Sequence, residues 1–393
     1  MSNPPISLPE YTLSENEYHF LKEDIDRINA EFQAKGHSFI EFIPTSTRNK
    51  YKIKTKSWVG SIQINQNTTV IVNPRFSPNS FLKMLNYVDH DLTTIFEEFS
   101  HFELEKDLLD YLIRVFLKKA QDLFEQLKWK SYSNIVERRS TIKGKIKVKE
   151  NLNYNKFLNE KCFCEYSEYS MDNIFNQTIK YALHKLFYII HDPALMNQLK
   201  LTYSFLQNVS LQSISTFEID RFSYNRFIEA YKPVHLLSKF FIDNIYISHS
   251  FGNQDFYCFF INMYDLFEKF VRNVLRKYSR FQVLGQPTDK FRDLNNEWQI
   301  KPDIRILKDN KEVLVLDTKY KDEISDSDKD QIYNYLRGYN LNKGVLIYPK
   351  VKIKTTPFFL PDSTIYIKTI DLSQIESGYL KQFTEEIENL INL

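Results

Sequence analysis

The sequence contains few of the residues that mark disulfide-rich, zinc-binding or nucleotide-binding proteins. Only three cysteines occur among 393 residues, and Cys162 and Cys164 form a C-x-C with no second pair. This usage predicts neither a disulfide framework nor a zinc site, and it is typical of a reducing cytoplasm. No G-x-x-x-x-G-K-[ST] pattern occurs, so we expect no P-loop in this chain. The eight histidines show no H-x-x-x-H spacing, and none is assigned to a metal.

Long apolar runs and an excess of one charge are also missing. No stretch of about 18 apolar residues occurs, and the N-terminus lacks a basic region followed by an apolar core. We therefore expect no membrane span, no signal peptide and a cytoplasmic protein. Net charge is +2, so a nucleic-acid partner would be held by local patches and not by a global field. The length allows two or three domains.

Hydrophobic periodicity predicts a multidomain α+β protein. It has an N-terminal β-rich module, a helical middle and a C-terminal α/β domain with a central mixed sheet. A helical spacing stops at Gly36, short alternating runs follow it, and a long amphipathic helix comes next. The stretch before residue 15 indicates a flexible tail. The expected segments are a tail and helix over 1–36, a β-rich and helical region over 37–165, a helical middle over 166–254 and an α/β domain over 255–393.

A lysine-rich stretch, "RRSTIKGKIKVKENL", alternates in a way that predicts a strand. Every second position places a lysine on one face, namely Lys143, Lys145, Lys147 and Lys149. Such lysines contact phosphates in nucleic-acid-binding proteins. Edge strands also use lysine to prevent aggregation. The sequence favours neither interpretation.

The stretch "WQIKPDIRILKDNKEVLVLDTKYKD" predicts two strands joined by a turn at Lys308 to Lys311. The second strand is apolar on both faces, as in a central strand. Asp317 and Lys319 then leave it on the same face, because side chains alternate along a strand. Pro302 cannot donate to a ladder, so the first strand is irregular there. If the strands pair as a hairpin, Asp303 lies next to Asp317.

Two carboxylates and one ammonium at the ends of adjacent strands predict a metal site. Mg²⁺ prefers carboxylate oxygens and keeps several waters, and Mn²⁺ takes the same ligands. A lysine beside it can orient a water or neutralise charge that develops on phosphorus. Burying such charges without a partner is costly, so a core strand gains nothing from them. A lone D-x-K is usually a solvated strand end, and the catalytic interpretation depends on its context.

Two helices supply that context. "INMYDLFEKFVRNVLRKY" is amphipathic, and Glu268 lies at the border of its apolar stripe. A border glutamate is often only solvated, so both interpretations of Glu268 stay open. "SDSDKDQIYNYLRGYN" follows the D-x-K strand, and Gln331 and Tyr335 share a helix face because they are four residues apart. They belong either to the site, which the motif context favours, or to a helix surface.

These motifs resemble the PD-(D/E)xK nuclease superfamily in its RecB-like variety, and more closely the McrC family, the nuclease subunit of McrBC-type modification-dependent restriction systems. The resemblance rests on four stretches, "WVGSIQIN…VIVNPRF…FLKMLNYV", "ERRSTIKGKI", "INMYDLFEKFV" and "KPDIRI…VLDTKYK…DQIYNYLRGY". It departs from the family at Asp330, where a tyrosine often stands, and at Thr318, which replaces a smaller residue.

The resemblance implies a Mg²⁺-dependent DNA endonuclease with a role in anti-phage defence. Asp303, Asp317, the Thr318 carbonyl and Glu268 would hold the metal. Lys319 would position the attacking water or stabilise the transition state. Gln331 and Tyr335 would orient Lys319 or the DNA backbone. The implied partners are double-stranded DNA and a McrB-like AAA+ GTPase hexamer that docks on residues 37–165. A chain that begins near residue 253 would then keep the whole nuclease unit.

The residues leave two other functions open. The chain could be a non-catalytic scaffold that activates the AAA+ ring, although the complete set of Asp303, Asp317 and Lys319 argues against decay of the site. It could also be a stand-alone RecB-like repair nuclease, against which the long N-terminal extension speaks.

Overall fold

The computed structural model describes residues 5–65, 67–88, 95, 108–154, 161–248, 256–285, 289–292, 297–350, 353 and 355–392. The chain is mixed α+β and contains several sheets, which agrees with the predicted class. It forms two compact units, one of Met1–Leu108 with Ser248–Leu393 and one of Leu109–Ile247. The first unit therefore joins both ends of the chain, and the second is its middle.

The N-terminal part of the first unit contains mostly strands. Its elements are β1 (Ile6–Pro9), β2 (Tyr18–His19), α1 (Lys22–Lys35), β3 (Ile40–Pro44), β4 (Lys50–Thr55), β5 (Trp58–Asn65), β6 (Thr68–Asn73) and α2 (Pro78–Val88). Helix α1 ends at Gly36 in the left-handed conformation, as predicted. The predicted tail is wrong for residues 5–14. Strand β1 pairs in parallel with β6 there, and Leu8 is buried. This stretch is therefore part of the hydrophobic core and not a tail.

The second unit contains the predicted helical middle. Its elements are α3 (Leu108–Gln126), β7 (Ser131–Arg139), β8 (Lys145–Ile146), α4 (Val148–Tyr154), β9 (Cys162–Ser170), α5 (Ile174–Leu186), α6 (Pro193–Ser204), α7 (Thr216–Ile219), α8 (Tyr231–Asn244) and β10 (Ile245–Ser248). Strands β7, β9 and β8 form an antiparallel sheet in that order. Cys162 and Cys164 on β9 are free thiols, as is Cys258 in the first unit.

The prediction of one lysine-rich strand is wrong over most of its length. Strand β7 ends at Arg139, residues 140–144 lie outside any strand, with Gly144 in the left-handed conformation, and β8 covers only Lys145–Ile146 before α4 begins at Val148. At the C-terminal end the physical reason is Asn151, whose side chain both donates to and accepts from the Phe163 backbone and so ends the pairing. Lys143 lies over the Tyr166 ring at 3.9 Å, which is a cation–π contact inside the unit.

The C-terminal part of the first unit contains a mixed sheet flanked by helices. Its elements are β11 (Phe256–Asn262), α9 (Met263–Tyr278), β12 (Gln282–Gly285), β13 (Asp289–Arg292), β14 (Glu297–Ile300), β15 (Ile304–Lys308), β16 (Lys311–Thr318), α10 (Asp326–Tyr339), β17 (Lys343–Pro349), β18 (Phe358–Phe359), β19 (Thr364–Ile370) and α11 (Ser377–Asn392). Across the described ranges, no helix combines the length and apolar character that a membrane span needs.

The central sheet has the strand order β12-β15-β16-β17-β19-β18. Strands β16, β17 and β19 run parallel, and the other pairs are antiparallel, so the predicted mixed sheet is confirmed. Helix α10 packs on it through Ile332 and Leu336. Gly344 permits this close approach, because a Cβ there would lie 2.8 Å from Ile332 Cγ1. The packing therefore fixes where α10 lies relative to the exit of β16.

The two ends of the chain are joined by strand pairing. Strand β5 pairs antiparallel with β11, in the order β1-β6-β5-β11, which we call the terminal sheet. The strands approach closely at Gly60, whose added Cβ would lie 1.9 Å from the Phe259 carbonyl oxygen. The compact units therefore differ from the sequence-based segments. The limits at 36/37 and 165/166 fall inside units, and the limit at 254/255 lies outside the described residues.

A chain that begins at residue 253 should consequently fail to fold, contrary to the sequence-based expectation. Strand β11 would lose its partner β5, and its buried residues, such as Phe260, would be exposed to water at a cost of about 1.5–3 kcal/mol each. Circular dichroism during heating should show no cooperative transition. Co-expression with a fragment that ends at Leu108 should restore one, and a sharp melt of the short chain alone would contradict the fold.

Candidate active site

The hairpin of β15 and β16 forms as predicted and brings Asp303 beside Asp317. Its turn uses Asp309 and Asn310, both in the left-handed conformation that tight hairpin turns require. The strands stay paired as far as Ile304 opposite Leu316. One step further along the same register places Asp303 opposite Asp317. Residues 301–303, which include Pro302, lie between β14 and β15 outside any strand, as expected for proline.

Asp303 is oriented by the end of the neighbouring strand. Its Oδ2 accepts hydrogen bonds from the Thr318 backbone N–H at 2.8 Å and from the Thr318 hydroxyl at 2.7 Å. Both bonds use one oxygen, and Oδ1 has no hydrogen-bond partner among the described residues. Thr318 therefore holds the carboxylate in place through its backbone and its hydroxyl, a role that the sequence did not indicate.

Asp317 is buried and pairs with Lys319. The Asp317 side chain is 1% exposed and that of Lys319 is 17% exposed. Lys319 Nζ lies 2.6 Å from Asp317 Oδ2, but this oxygen lacks a well-oriented hydrogen bond from any described residue. The lysine thus balances the charge of the carboxylate without satisfying the hydrogen-bonding capacity of Oδ2.

A hydrogen-bonded chain runs from Lys319 into α10. Lys319 Nζ donates to Gln331 Oε1 at 2.8 Å, and Gln331 Nε2 donates to the Tyr335 hydroxyl at 2.6 Å. Tyr335 in turn donates to the carbonyl of Lys301 at 3.1 Å. The shared helix face predicted for Gln331 and Tyr335 is confirmed. Both lie at the site, and they connect the lysine to the segment that carries Asp303.

Burial and the neighbouring charge act together on Asp317. Desolvation, followed by the charge of Asp303, raises the pKa of Asp317 to about 7, although Lys319 acts in the opposite direction. Desolvation also raises the pKa of Tyr335 to about 12, so its hydroxyl keeps its proton and can donate at neutral pH. The site therefore holds one carboxyl that titrates near neutrality and a neutral phenol.

Glu268 lies on α9, which follows the end of the terminal sheet. It pairs with Arg272 one turn along the helix, with Nη1 2.9 Å from Oε1. Among the residues that the structure describes, no group of three or more His, Cys, Asp or Glu side chains converges as a metal-ligand cluster. The structure thus brings Asp303, Asp317, Thr318, Lys319, Gln331 and Tyr335 together, and it does not add Glu268 as a third clustered carboxylate.

A second charged pair lies beside the site and was not found from the sequence. Lys321 Nζ is 2.6 Å from Asp328 Oδ2, which also accepts a hydrogen bond from the Tyr348 hydroxyl at 3.0 Å. Burial acts to raise the pKa of Asp328, but Lys321 and Ser325 hold it below its ordinary value. The S-x-x-D capping box from Ser325 to Asp328 was the available signal. It indicates a helix start and not the contact with Lys321.

The oxygen ligands fit a hard divalent cation. Asp303 and Asp317 provide two carboxylates, and Asp317 Oδ2 is a buried oxygen without a satisfying donor. Mg²⁺ is commonly held by one or two carboxylates and several waters, so a third carboxylate is not required. The fold and the site geometry define a class: a mixed α+β protein with an acid–acid–lysine cluster at the end of a central sheet.

Comparisons with known proteins place the chain in a family. Residues 53–349, more than half of the chain, match the model of the McrBC 5-methylcytosine restriction system component family. The chain therefore belongs to this family. A comparison with curated proteins gives no match.

Solved structures agree on the fold. A chain from the half-complex of the tetradecameric assembly of Thermococcus gammatolerans McrB AAA+ hexamers with bound McrC is 17% identical, with a TM-score of 0.67. That alignment covers 98% of this chain and 100% of the other, and at this identity it shows the fold alone. A chain of the Thermococcus gammatolerans McrBC complex, also 17% identical, has a TM-score of 0.44 over 74% of this chain and 90% of that one, which is too low to add to the argument.

The raised pKa of Asp317 predicts a pH-dependent stability. Because the folded state favours the protonated carboxyl, the wild type loses stability as the pH rises from the unfolded value of 3.8 to about 7. In chelator, Asp317→Asn should therefore raise the melting temperature by about 2–5 °C more at pH 8 than at pH 5.

Asp371→Asn is the matched control for that measurement. The pKa of Asp371 is lowered, because its burial is outweighed by Ser373 and Lys350, so its ionised form contributes stability that is lost only as the pH falls below about 4. The change in melting temperature for Asp371→Asn should be the same at pH 5 and pH 8. Equal pH trends for the two variants would show that Asp317 is not the destabilised carboxyl.

Proposed function

We propose that the chain is the Mg²⁺-dependent DNA endonuclease subunit of a McrBC-like restriction system that serves anti-phage defence. The observation that carries this proposal is the geometry of three residues. Asp303 and Asp317 lie at the ends of paired strands, and Lys319 Nζ lies 2.6 Å from Asp317. The reaction is hydrolysis of phosphodiester bonds in double-stranded DNA. Membership of the McrBC family supports the restriction role.

The residues of the chain divide the chemistry. Asp303, Asp317 and the Thr318 carbonyl would hold Mg²⁺ or Mn²⁺, with Glu268 as a further ligand if it turns from Arg272. When bound, such an ion polarises a phosphate oxygen and lowers the pKa of a water. Lys319 then orients the attacking water or neutralises the charge that develops on phosphorus.

Gln331 and Tyr335 act through Lys319. The amide oxygen of Gln331 holds the ammonium at 2.8 Å, and Tyr335 fixes the orientation of that amide. Because the hydroxyl of Tyr335 donates to the Lys301 carbonyl, the lysine and the segment before Asp303 are tied to one helix face. This arrangement holds Lys319 beside the Asp317 carboxylate before substrate binds, as catalysis by positioning requires.

The partner that we propose is a McrB-like AAA+ GTPase hexamer. McrC is bound to McrB AAA+ hexamers in the Thermococcus gammatolerans assembly. By analogy, residues 37–165 would dock on the ring and stimulate its GTPase, and the ring would recognise and translocate modified DNA. Cleavage would follow when translocating complexes converge.

Lys319→Ala should abolish DNA cleavage, with a loss of at least about 100-fold. Because the variant also removes the partner of the buried Asp317 carboxylate, its melting temperature should fall at pH 8 and change little at pH 5, where Asp317, with a pKa of about 7, is protonated. Lys343→Ala is the matched control, since this lysine lies on β17 of the same sheet and donates to the Leu390 carbonyl.

Cleavage should require Mg²⁺ or Mn²⁺ and stop in EDTA, and Ca²⁺ should bind without supporting cleavage. Full activity in chelator would rule out this mechanism. Cleavage of DNA by the Lys319→Ala variant at the wild-type rate would also rule it out.

Asp303→Ala should separate the two activities. It removes a carboxylate that Thr318 orients, so cleavage should stop, but it leaves residues 37–165 intact. Stimulation of GTP hydrolysis by the purified partner ring should remain at the wild-type level.

The assay compares DNA cleavage and stimulation of GTP hydrolysis for the wild type and the variant. Loss of stimulation by a folded Asp303→Ala protein would contradict the division of labour. Normal stimulation by a wild type that never cuts would favour the non-catalytic activator, and cutting without any ring would favour the stand-alone nuclease.

A further inference from the structure

A buried charged cluster from the N-terminal part surrounds the residues that follow Lys319. The Glu10 side chain is 0% exposed, and its Oε1 accepts a hydrogen bond from the Tyr320 hydroxyl at 2.5 Å and from the Arg75 backbone N–H at 3.0 Å. The Tyr11 hydroxyl donates to the Tyr320 carbonyl. Arg75 pairs with Asp322, and its guanidinium carbon lies 4.6 Å from the Tyr11 ring centroid and 4.8 Å from that of Tyr320.

The cluster is formed where the terminal sheet ends. Strands β1 and β6 are parallel, so Glu10 and Arg75, which follow them, leave the same edge. Glu10 N–H donates to the Asn73 carbonyl at 2.9 Å, which joins the two exits. Both strands belong to the compact unit that contains the site. The cluster is therefore a direct physical link from the terminal sheet to the chain that leaves β16.

Stability alone is a weak reason for these charges. A buried ion pair is commonly no more stabilising than apolar side chains of the same volume, because both charges lose their water. Here the compensation is incomplete, since Glu10 Oε2 and Arg75 Nε and Nη2 are buried without hydrogen-bond partners among the described residues. What the cluster supplies is direction, because Glu10, Tyr11 and Arg75 each bind one defined group of Tyr320 or Asp322.

Those bonds hold the segment on the C-terminal side of Lys319. The Tyr320 hydroxyl, the Tyr320 carbonyl and the Asp322 carboxylate each have a partner in the cluster. The Lys319 backbone N–H donates to the Ile347 carbonyl at 2.8 Å on the other side. The backbone of Lys319 is thus fixed both at its own N–H and at the residue that follows it.

We propose that Glu10, Tyr11 and Arg75 are positioning residues for Lys319, so that the N-terminal strands set the geometry of the D-x-K lysine. The inference rests on the proposed function insofar as Lys319 is catalytic. Loosening of the cluster should free the Lys319 side chain from Asp317 and Gln331 whatever reaction the site performs.

Hydroxyl deletions test the proposal without leaving a charge unpaired. Replacement of Arg75 alone would strand the Glu10 carboxylate and could unfold the chain. Tyr320→Phe and Tyr11→Phe each remove one hydrogen bond to or from Tyr320 and keep the rings. Tyr87→Phe is the matched control, because its hydroxyl bonds to Tyr278 at 3.1 Å. Tyr278 lies 14 residues along α9 from Tyr264, which packs on Tyr320, or about 21 Å at the helical rise.

The first readout does not depend on cleavage. Full-length protein is treated with an amine-reactive reagent, and mass spectrometry gives the labelling rate of Lys319 relative to Lys343. Tyr320→Phe and Tyr11→Phe should each raise the relative rate about fivefold, the factor that one net hydrogen bond is worth. Tyr87→Phe should leave it unchanged. Unchanged labelling in both folded cluster variants would overturn the proposal.

The second readout is Mg²⁺-dependent cleavage by the full chain with its partner ring. Tyr320→Phe should lower kcat about tenfold, because a small misplacement of a catalytic group is costly, while KM for DNA stays within about twofold. A purely stabilising cluster would instead give the same kcat for Tyr320→Phe and Tyr87→Phe below their melting temperatures, which would contradict the positioning role. If Lys319 labelling rises but the wild type itself does not cut, the proposed nuclease function fails and the positioning inference stands.

Discussion

The arrangement of the site depends on the burial of Asp317 at the end of a central strand. A carboxylate removed from water there costs several kcal/mol unless it is paired, and Lys319 supplies only part of the compensation. The pKa of Asp317 is raised to about 7 because desolvation and Asp303 outweigh the lysine. A divalent cation would relieve both effects at once, since it replaces the lost water and screens the two carboxylates from each other. Relief of this electrostatic cost on binding would therefore contribute to the proposed affinity for the metal.

This cost also determines what surrounds the lysine. Lys319 has to remain close to Asp317, and its orientation is set by Gln331, Tyr335 and the Lys301 carbonyl. Those contacts exist only because α10 lies close against the sheet, where Gly344 leaves room for Ile332. The polar site and the hydrophobic packing of α10 are therefore one arrangement. A cavity or an overpacked residue beneath α10 would shift this helix. The shift would displace Gln331 and, with it, the side chain of Lys319.

The sequence predicted the parts of the site that depend on local periodicity. Alternation along two strands gave the Asp303–Asp317 neighbourhood, and the four-residue spacing gave Gln331 and Tyr335, because each pattern is fixed by backbone geometry over a few residues. The joining of β5 to β11 was not predictable in this way, since no local pattern specifies which distant strand is the partner. For the same reason the sequence could not show that Glu10 and Arg75 contact the segment that follows Lys319. A short polar stretch before residue 15 gave no sign that Leu8 and Glu10 are buried.

The pairing of distant strands changes how the functions of this chain can be separated. Segments drawn along the sequence suggest that an N-terminal module can be removed from a C-terminal enzyme. In the structure, Ser248–Leu393 shares one compact unit with Met1–Leu108, and Tyr320, next to Lys319, donates its hydroxyl hydrogen to Glu10. A truncation would therefore remove the proposed docking region, the partner of β11 and the proposed support of the lysine together. Loss of cleavage in such a fragment would say nothing about docking, because the site would be dismantled in the same step. Point substitutions that keep the terminal sheet intact are the only changes that can assign one activity to one surface.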